Sequence, residues 1–138
     1  MTKHWAAEFI GRPWSPTFNC WSLVREVFLV RWGVEMPELG VGEVHAADNV
    51  ALLKAAAEVS GWRPADGPPQ DGDIVLCRDV TGKRHVGVMI EQRGCLLLMH
   101  NEGYMSLRKG VSVPIGSVLA QLLHEAIQLT EIELWRRA

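Results

Sequence analysis

The sequence has three cysteines, Cys20, Cys77 and Cys95, an odd number with no close pair. That excludes the disulfide framework of a small secreted domain and suits a reducing compartment. No Cys-x-x-Cys and no His-x-x-x-His spacing occurs, so Cys20, Cys77, His85, Cys95 and His100 make no recognisable zinc set. Neither a metal nor another cofactor is expected. No apolar run approaches membrane-spanning length. Near the N-terminus, Glu8 interrupts the only run that could serve a signal peptide. The expectation is cytoplasmic synthesis, no classical amino-terminal export signal and no membrane insertion. A basic block is also missing. Lys83-Arg84, Arg108-Lys109 and Arg136-Arg137 are dispersed doublets in a chain of net charge −2, which speaks against a nucleic-acid surface.

What is present fits one globular domain over residues 1–138, with 48% hydrophobic and 22% charged residues. A chain of this size buries roughly two-thirds of its unfolded surface, enough for a core without staples. Residues 4–10 read as a short helix ended by Gly11-Arg12-Pro13. The clearest helix runs from about Cys20 to Trp32. Its residues Cys20, Leu23, Val24, Val27 and Phe28 fall on one face, with Asn19 as N-cap and Gly33 as terminator. Residues 46–60 form a second helix candidate, and 116–125 a third, short one. The turn-rich connector from Pro64 to Gly72 leads into strands at 73–78, 85–91, 95–100 and 127–135. Helices first and an antiparallel sheet afterwards predict an α+β fold.

Cys20 falls in the first turn of its helix, where unpaired backbone N–H groups and the helix dipole favour a thiolate and an oxyanion. The alternative is a plain core cysteine, because Cys20 also lies on the apolar stripe. For Cys77 and Cys95, inside strand-like apolar runs, the core reading wins. Cys20 is therefore expected to be the most reactive thiol. His85 opens a strand in which it shares a face with Gly87, whose missing side chain leaves room beside the imidazole. The segment 91–95 then turns back toward His100. A two-residue loop at Gln92-Arg93 sets His100 opposite His85, and a three-residue loop with Gly94 in the left-handed position sets Asn101 there. Either residue could orient the ring. A nucleophile, a base and an orienter make a recognisable set.

The segment Gly11-Arg-Pro-Trp, then Asn19-Cys-Trp-Ser-Leu-Val-Arg-Glu-Val-Phe, resembles the nucleophile region of NlpC-type cysteine peptidases. Gly72-Asp-Ile-Val-Leu resembles the Gly-Asp strand entry of that family. His85-Val-Gly-Val-Met-Ile resembles its histidine strand, and Leu97-Leu-Met-His100 the strand ending in the third catalytic residue. The tail Ile132-Glu-Leu-Trp-Arg136 is similar to the closing strand of phage-tail members. Asn19 stands where Asp is usual, Ser22 where Gly is usual, and Trp14 where Tyr is common.

The resemblance implies a papain-like α+β fold, with the Cys20 helix packed on an antiparallel sheet that carries His85 and His100. It implies a cysteine endopeptidase or amidase with Cys20, His85 and His100 as catalytic residues. The substrate would be an amide bond in a peptidoglycan stem peptide, often after D-glutamate. Trp14 and Asn19 would contact substrate, and Trp21 would pack in the core. A phage or prophage tail component, with tail proteins as partners and the virion tail as its destination, fits the expected lack of an export signal. The alternatives are a tail-assembly protein with the same fold and no activity, and another Cys–His amidase or acyltransferase.

Overall fold

The computed structural model describes residues 4–15, 17–36, 61–79, 82, 84–101, 105–108, 111–114, 116–126 and 129–137. The helix α1 spans Cys20–Trp32. Asn19 caps it, its Oδ1 accepting from the Ser22 backbone N–H at 3.0 Å and from the Ser22 hydroxyl at 3.1 Å. Gly33 ends it in the left-handed region, φ +66°, with its N–H on Leu29 O and the Val34 N–H on Phe28 O. Leu23, Val24, Val27 and Phe28 are buried. Each such side chain stabilises the fold by about 1.5–3 kcal/mol.

The strands are β1 (Trp62–Pro64), β2 (Ile74–Arg78), β3 (Arg84–Gln92), β4 (Cys95–Asn101), β5 (Met105–Arg108), β6 (Val111–Pro114), β7 (Val118–Gln121) and β8 (Thr130–Arg137). Six of them form one antiparallel sheet in the order β1-β8-β2-β3-β4-β7, and β5 pairs with β6 apart from it. One face shares a core with α1 through Ile74, Leu76, Val86, Val88, Ile90, Met99 and Val118. The other carries Val75, Cys77, Met89 and Leu98, covered by Ala126 and Leu129.

This architecture corrects the expected fold class. The described residues are mostly antiparallel β-sheet with a single α-helix, which is not the papain-like α+β arrangement. Two of the expected helices do not form. Residues 4–10 close only one 3-10 turn, Trp5–Glu8, capped by His4, whose Nδ1 accepts from the Ala6 N–H at 3.2 Å. Residues 116–125 form β7 and a 3-10 turn, Leu123–Glu125, instead. The open edge of β4 decides this, because its backbone groups need partners and Val118–Gln121 supplies them. The third helix candidate, 46–60, lies outside the described residues. The four expected strands are observed with ends shifted by up to three residues, and β1, β5, β6 and β7 come in addition.

The Gly72-Asp73 pair has a structural task. Gly72 sits at φ +88°, and a Cβ there would stand 3.3 Å from the Trp32 ring. Asp73, 1% exposed, takes a bidentate grip from Arg136, Nε to Oδ1 and Nη2 to Oδ2, both at 2.8 Å. Its Oδ2 also accepts from the Gln70 N–H at 2.8 Å. The connector, β2 and β8 are thus tied at one carboxylate. Asp73→Ala is expected to lower the melting temperature by roughly 5–10 °C in a thermal scan, whereas exposed Glu125→Ala should leave it nearly unchanged.

Candidate active site

Three polar side chains from three strands form one line. His85 Nε2 lies 2.8 Å from His100 Nδ1, and His100 Nε2 lies 2.8 Å from Gln121 Oε1. The two rings meet edge to face, with centroids 5.0 Å apart. His85 and His100 are buried. They stand on the sheet face that carries Cys77 and Leu98, because side chains alternate along β3 and β4.

The contact arises from a register that neither expected loop produces. The turn is Arg93-Gly94, with φ of +52° and +80°, the doubly positive pattern of a primed hairpin turn. It pairs Gln92 with Cys95 and places His100 opposite Gly87. His85 therefore meets His100 on the diagonal. Parity rescues the pairing: a slip of two residues keeps His100 on the face of His85, where a slip of one would have presented Asn101. Gly87 makes the room. A Cβ there would lie 3.0 Å from His100 Cβ, 2.9 Å from Met99 O and 2.7 Å from Leu98 Cδ1.

Asn101 does different work. Its Nδ2 donates to Phe18 O at 2.7 Å and weakly to Asn19 O at 3.4 Å. The end of β4 thus pins the approach to α1. The preceding segment runs beside β7, with Gly11 N–H on Val118 O, Val118 N–H on Arg12 O and Trp14 N–H on Gly116 O. The Arg12 guanidinium covers the Phe18 ring at 4.2 Å and pairs with Glu26 of α1 at 3.2 Å. Trp14 is buried, and Asn19 is buried with its side-chain oxygen committed to the cap. Trp21 is buried in the α1 core.

Cys20 is fully buried at the start of α1. Burial pushes its thiol up to about 12, against the pull of the backbone N–H groups of Val86, Trp21 and Cys20 itself. Val86 follows His85 in the chain, and β3 loses β4 as a partner beyond Gly87. The thiol and the imidazole pair thus come to the same end of β3 from different sides of the sheet. Cys77 is buried too, its thiol also pushed up to about 12, chiefly by burial and then by Cys20, and its Sγ–H points at His85 O at 3.6 Å. Cys95 is exposed at the hairpin, contrary to the core reading. It lies roughly 17 Å along β4 from His100, too far to join this cluster. Among the described residues no group of three His, Cys, Asp or Glu side chains could hold a metal ion.

These positions reverse the expected thiol reactivity. Iodoacetamide at neutral pH should modify Cys95 first, with Cys20 and Cys77 at least tenfold slower, because a buried thiol with a raised pKa offers little thiolate. In a Cys95→Ser background, labelling of Cys20 should climb as the pH rises toward 12. Peptide mapping after timed alkylation reads both effects. The sequence alone does not single out Gln121, because the helix expected over 116–125 hides it. The short alternation in Val118-Leu119-Ala120-Gln121 after Gly116-Ser117 is the signal that could have found it.

Over an aligned stretch of 104 residues the chain is 35% identical to a curated phage protein. That protein is tail tip assembly protein K of Escherichia phage N15. The match covers 72% of this chain, and the chain spans only 40% of the length of protein K. No protein-family model matches the chain, and no solved structure does. The NlpC resemblance therefore rests on the motifs alone. No helix among the described residues is long and apolar enough to cross a membrane.

Proposed function

We propose that this chain is a phage or prophage tail component whose His85–His100–Gln121 line serves Cys20 in hydrolysing amide bonds of peptidoglycan stem peptides. The tail half has the firmer support, the similarity to tail tip assembly protein K. The hydrolase half is carried by one observation, the buried hydrogen-bonded line behind His85. A strand-end histidine with no task does not need two further polar side chains, one of them wholly buried.

The proposed chemistry joins that line to Cys20. In this reading Cys20 Sγ attacks the carbonyl carbon, and its proton passes to His85 Nδ1. That step requires the thiol and the ring, which approach from different sides of the sheet, to meet at the end of β3. Backbone N–H groups at the start of α1 hold the oxyanion. The C–N bond breaks as His85 returns the proton to the leaving amine, which leaves a thioester. Water, deprotonated by His85, then attacks the thioester and releases the acid and the thiol. With its thiol at about 12, Cys20 loses its proton during attack rather than beforehand.

A second reading is an assembly role without turnover, and the complete burial of Cys20 favours it. The similarity to a tail tip assembly protein agrees with it. Deleting the gene from the phage or prophage that carries it, and complementing with wild-type or Cys20→Ala chain, separates the two. Normal tail assembly together with full infectivity in the absence of the chain contradicts the tail proposal. Full infectivity with Cys20→Ala favours the assembly reading, and assembled but poorly infective particles favour the hydrolase.

A further inference from the structure

We infer that Gln121 is a positioning residue of this site, which sets the tautomer of His85 at a distance through His100. Its consequence for turnover rests on the hydrolase reading, while the tautomer claim rests on the hydrogen-bond geometry. A neutral imidazole has one N–H and one lone pair. With Gln121 Oε1 as the acceptor at 2.8 Å, His100 Nε2 must carry the proton. His100 Nδ1 then holds a lone pair, so the bond at 2.8 Å requires His85 Nε2 to donate. Neutral His85 is left with its lone pair on Nδ1, on the hydrolase reading the nitrogen that takes the thiol proton. One amide oxygen on β7 thereby chooses which nitrogen of a ring on β3 is the base. Neutral His100 could not make that choice alone, because its ring can donate or accept at Nδ1 with equal ease.

The fold holds Gln121 for this purpose. Val118–Gln121 is laid along β4 with Leu119 opposite His100 and Gln121 opposite Leu98, so the amide approaches the imidazole on the diagonal across one sheet face. The Gly11–Trp14 segment anchors the other end of β7, and the same segment leads into the nucleophile helix. A shift of β7 would disturb base and nucleophile together.

The test is the tautomeric state of both rings, read from nitrogen-15 spectra of histidine-labelled protein at a pH where both are neutral. Three proteins are compared: wild type, Gln121→Leu and Gln121→Glu, the last keeping the acceptor in nearly the same shape. Wild type and Gln121→Glu should show Nε2–H on both His85 and His100. Gln121→Leu should show mixed tautomers on both rings, and its kcat on a stem-peptide substrate should fall about tenfold or more with KM unchanged. An unchanged Nε2–H tautomer in Gln121→Leu, or Nδ1–H in the wild type, overturns the inference. Should Gln121→Leu fail to fold, mixed tautomers in Gln121→Glu overturn it instead. If the tautomers behave as stated while the wild-type protein turns over no substrate, the positioning stands and the hydrolase reading falls.

Discussion

His100→Ala should lower kcat by about 10²–10⁴ while the chain stays folded. In the proposed mechanism the imidazole of His100, itself oriented by Gln121, holds His85 in one tautomer and supports it when it becomes positively charged. Its loss leaves a small space beside Gly87 that the flanking strands can tolerate, because the β3–β4 ladder continues from Val88–Met99 to the hairpin. Asn101→Ala should act differently. It frees the Phe18–Asn19 backbone and loosens the start of α1, so it should lower the melting temperature more than His100→Ala and cost turnover less. Circular dichroism melts and turnover on a stem-peptide substrate, measured on the same preparations, distinguish the two. A His100→Ala protein with wild-type kcat would remove His100 from the mechanism.

Gly87→Ala is the second large effect, and it comes from one methyl group. The added Cβ would lie closer than 3.0 Å to a backbone oxygen and to a Leu98 methyl, and against His100 Cβ. Leu98 can rotate, but the Met99 carbonyl belongs to the sheet ladder and cannot move alone. Overpacking of this kind costs about 1–3 kcal/mol. The strain falls on the spot where His100 crosses to His85, so turnover should drop at least tenfold beyond what the loss of folded protein explains. Denaturant titration gives the stability change, and activity per folded molecule gives the rest. A Gly87→Ala protein with unchanged stability and activity would show that His100 does not need the gap.

The parts of this molecule that could be read from the sequence are those set by local chemistry. The helix Cys20–Trp32 shows in its apolar spacing and in both its caps, because Asn19 and Gly33 act within one turn of chain. The strands at 74–78, 84–92 and 95–101 show as apolar runs bounded by turns. What failed depended on distant partners. Residues 116–125 become a strand because β4 has an open edge, which no local pattern announces. The hairpin loop differs from both expected loops because Arg93, a poor residue for positive φ, is forced there by the sheet register, with Gly94 beside it. The fold class went wrong for the same reason: two apolar stretches read as helices close only 3-10 turns or pair as strand. At the site, His85 and His100 were legible as strand-end histidines on a shared face. Gln121 was not, since only the pairing of β7 with β4 brings it within reach of His100.

The most direct test of the account incubates wild-type and Cys20→Ala protein with purified peptidoglycan and identifies the released fragments by mass. Wild-type protein is predicted to release muropeptides cut at an amide bond within the stem peptide, and Cys20→Ala to release none above background. Intact peptidoglycan after incubation with folded wild-type protein, or equal release by both proteins, would contradict the claim that the His85–His100–Gln121 line serves Cys20 as a nucleophile.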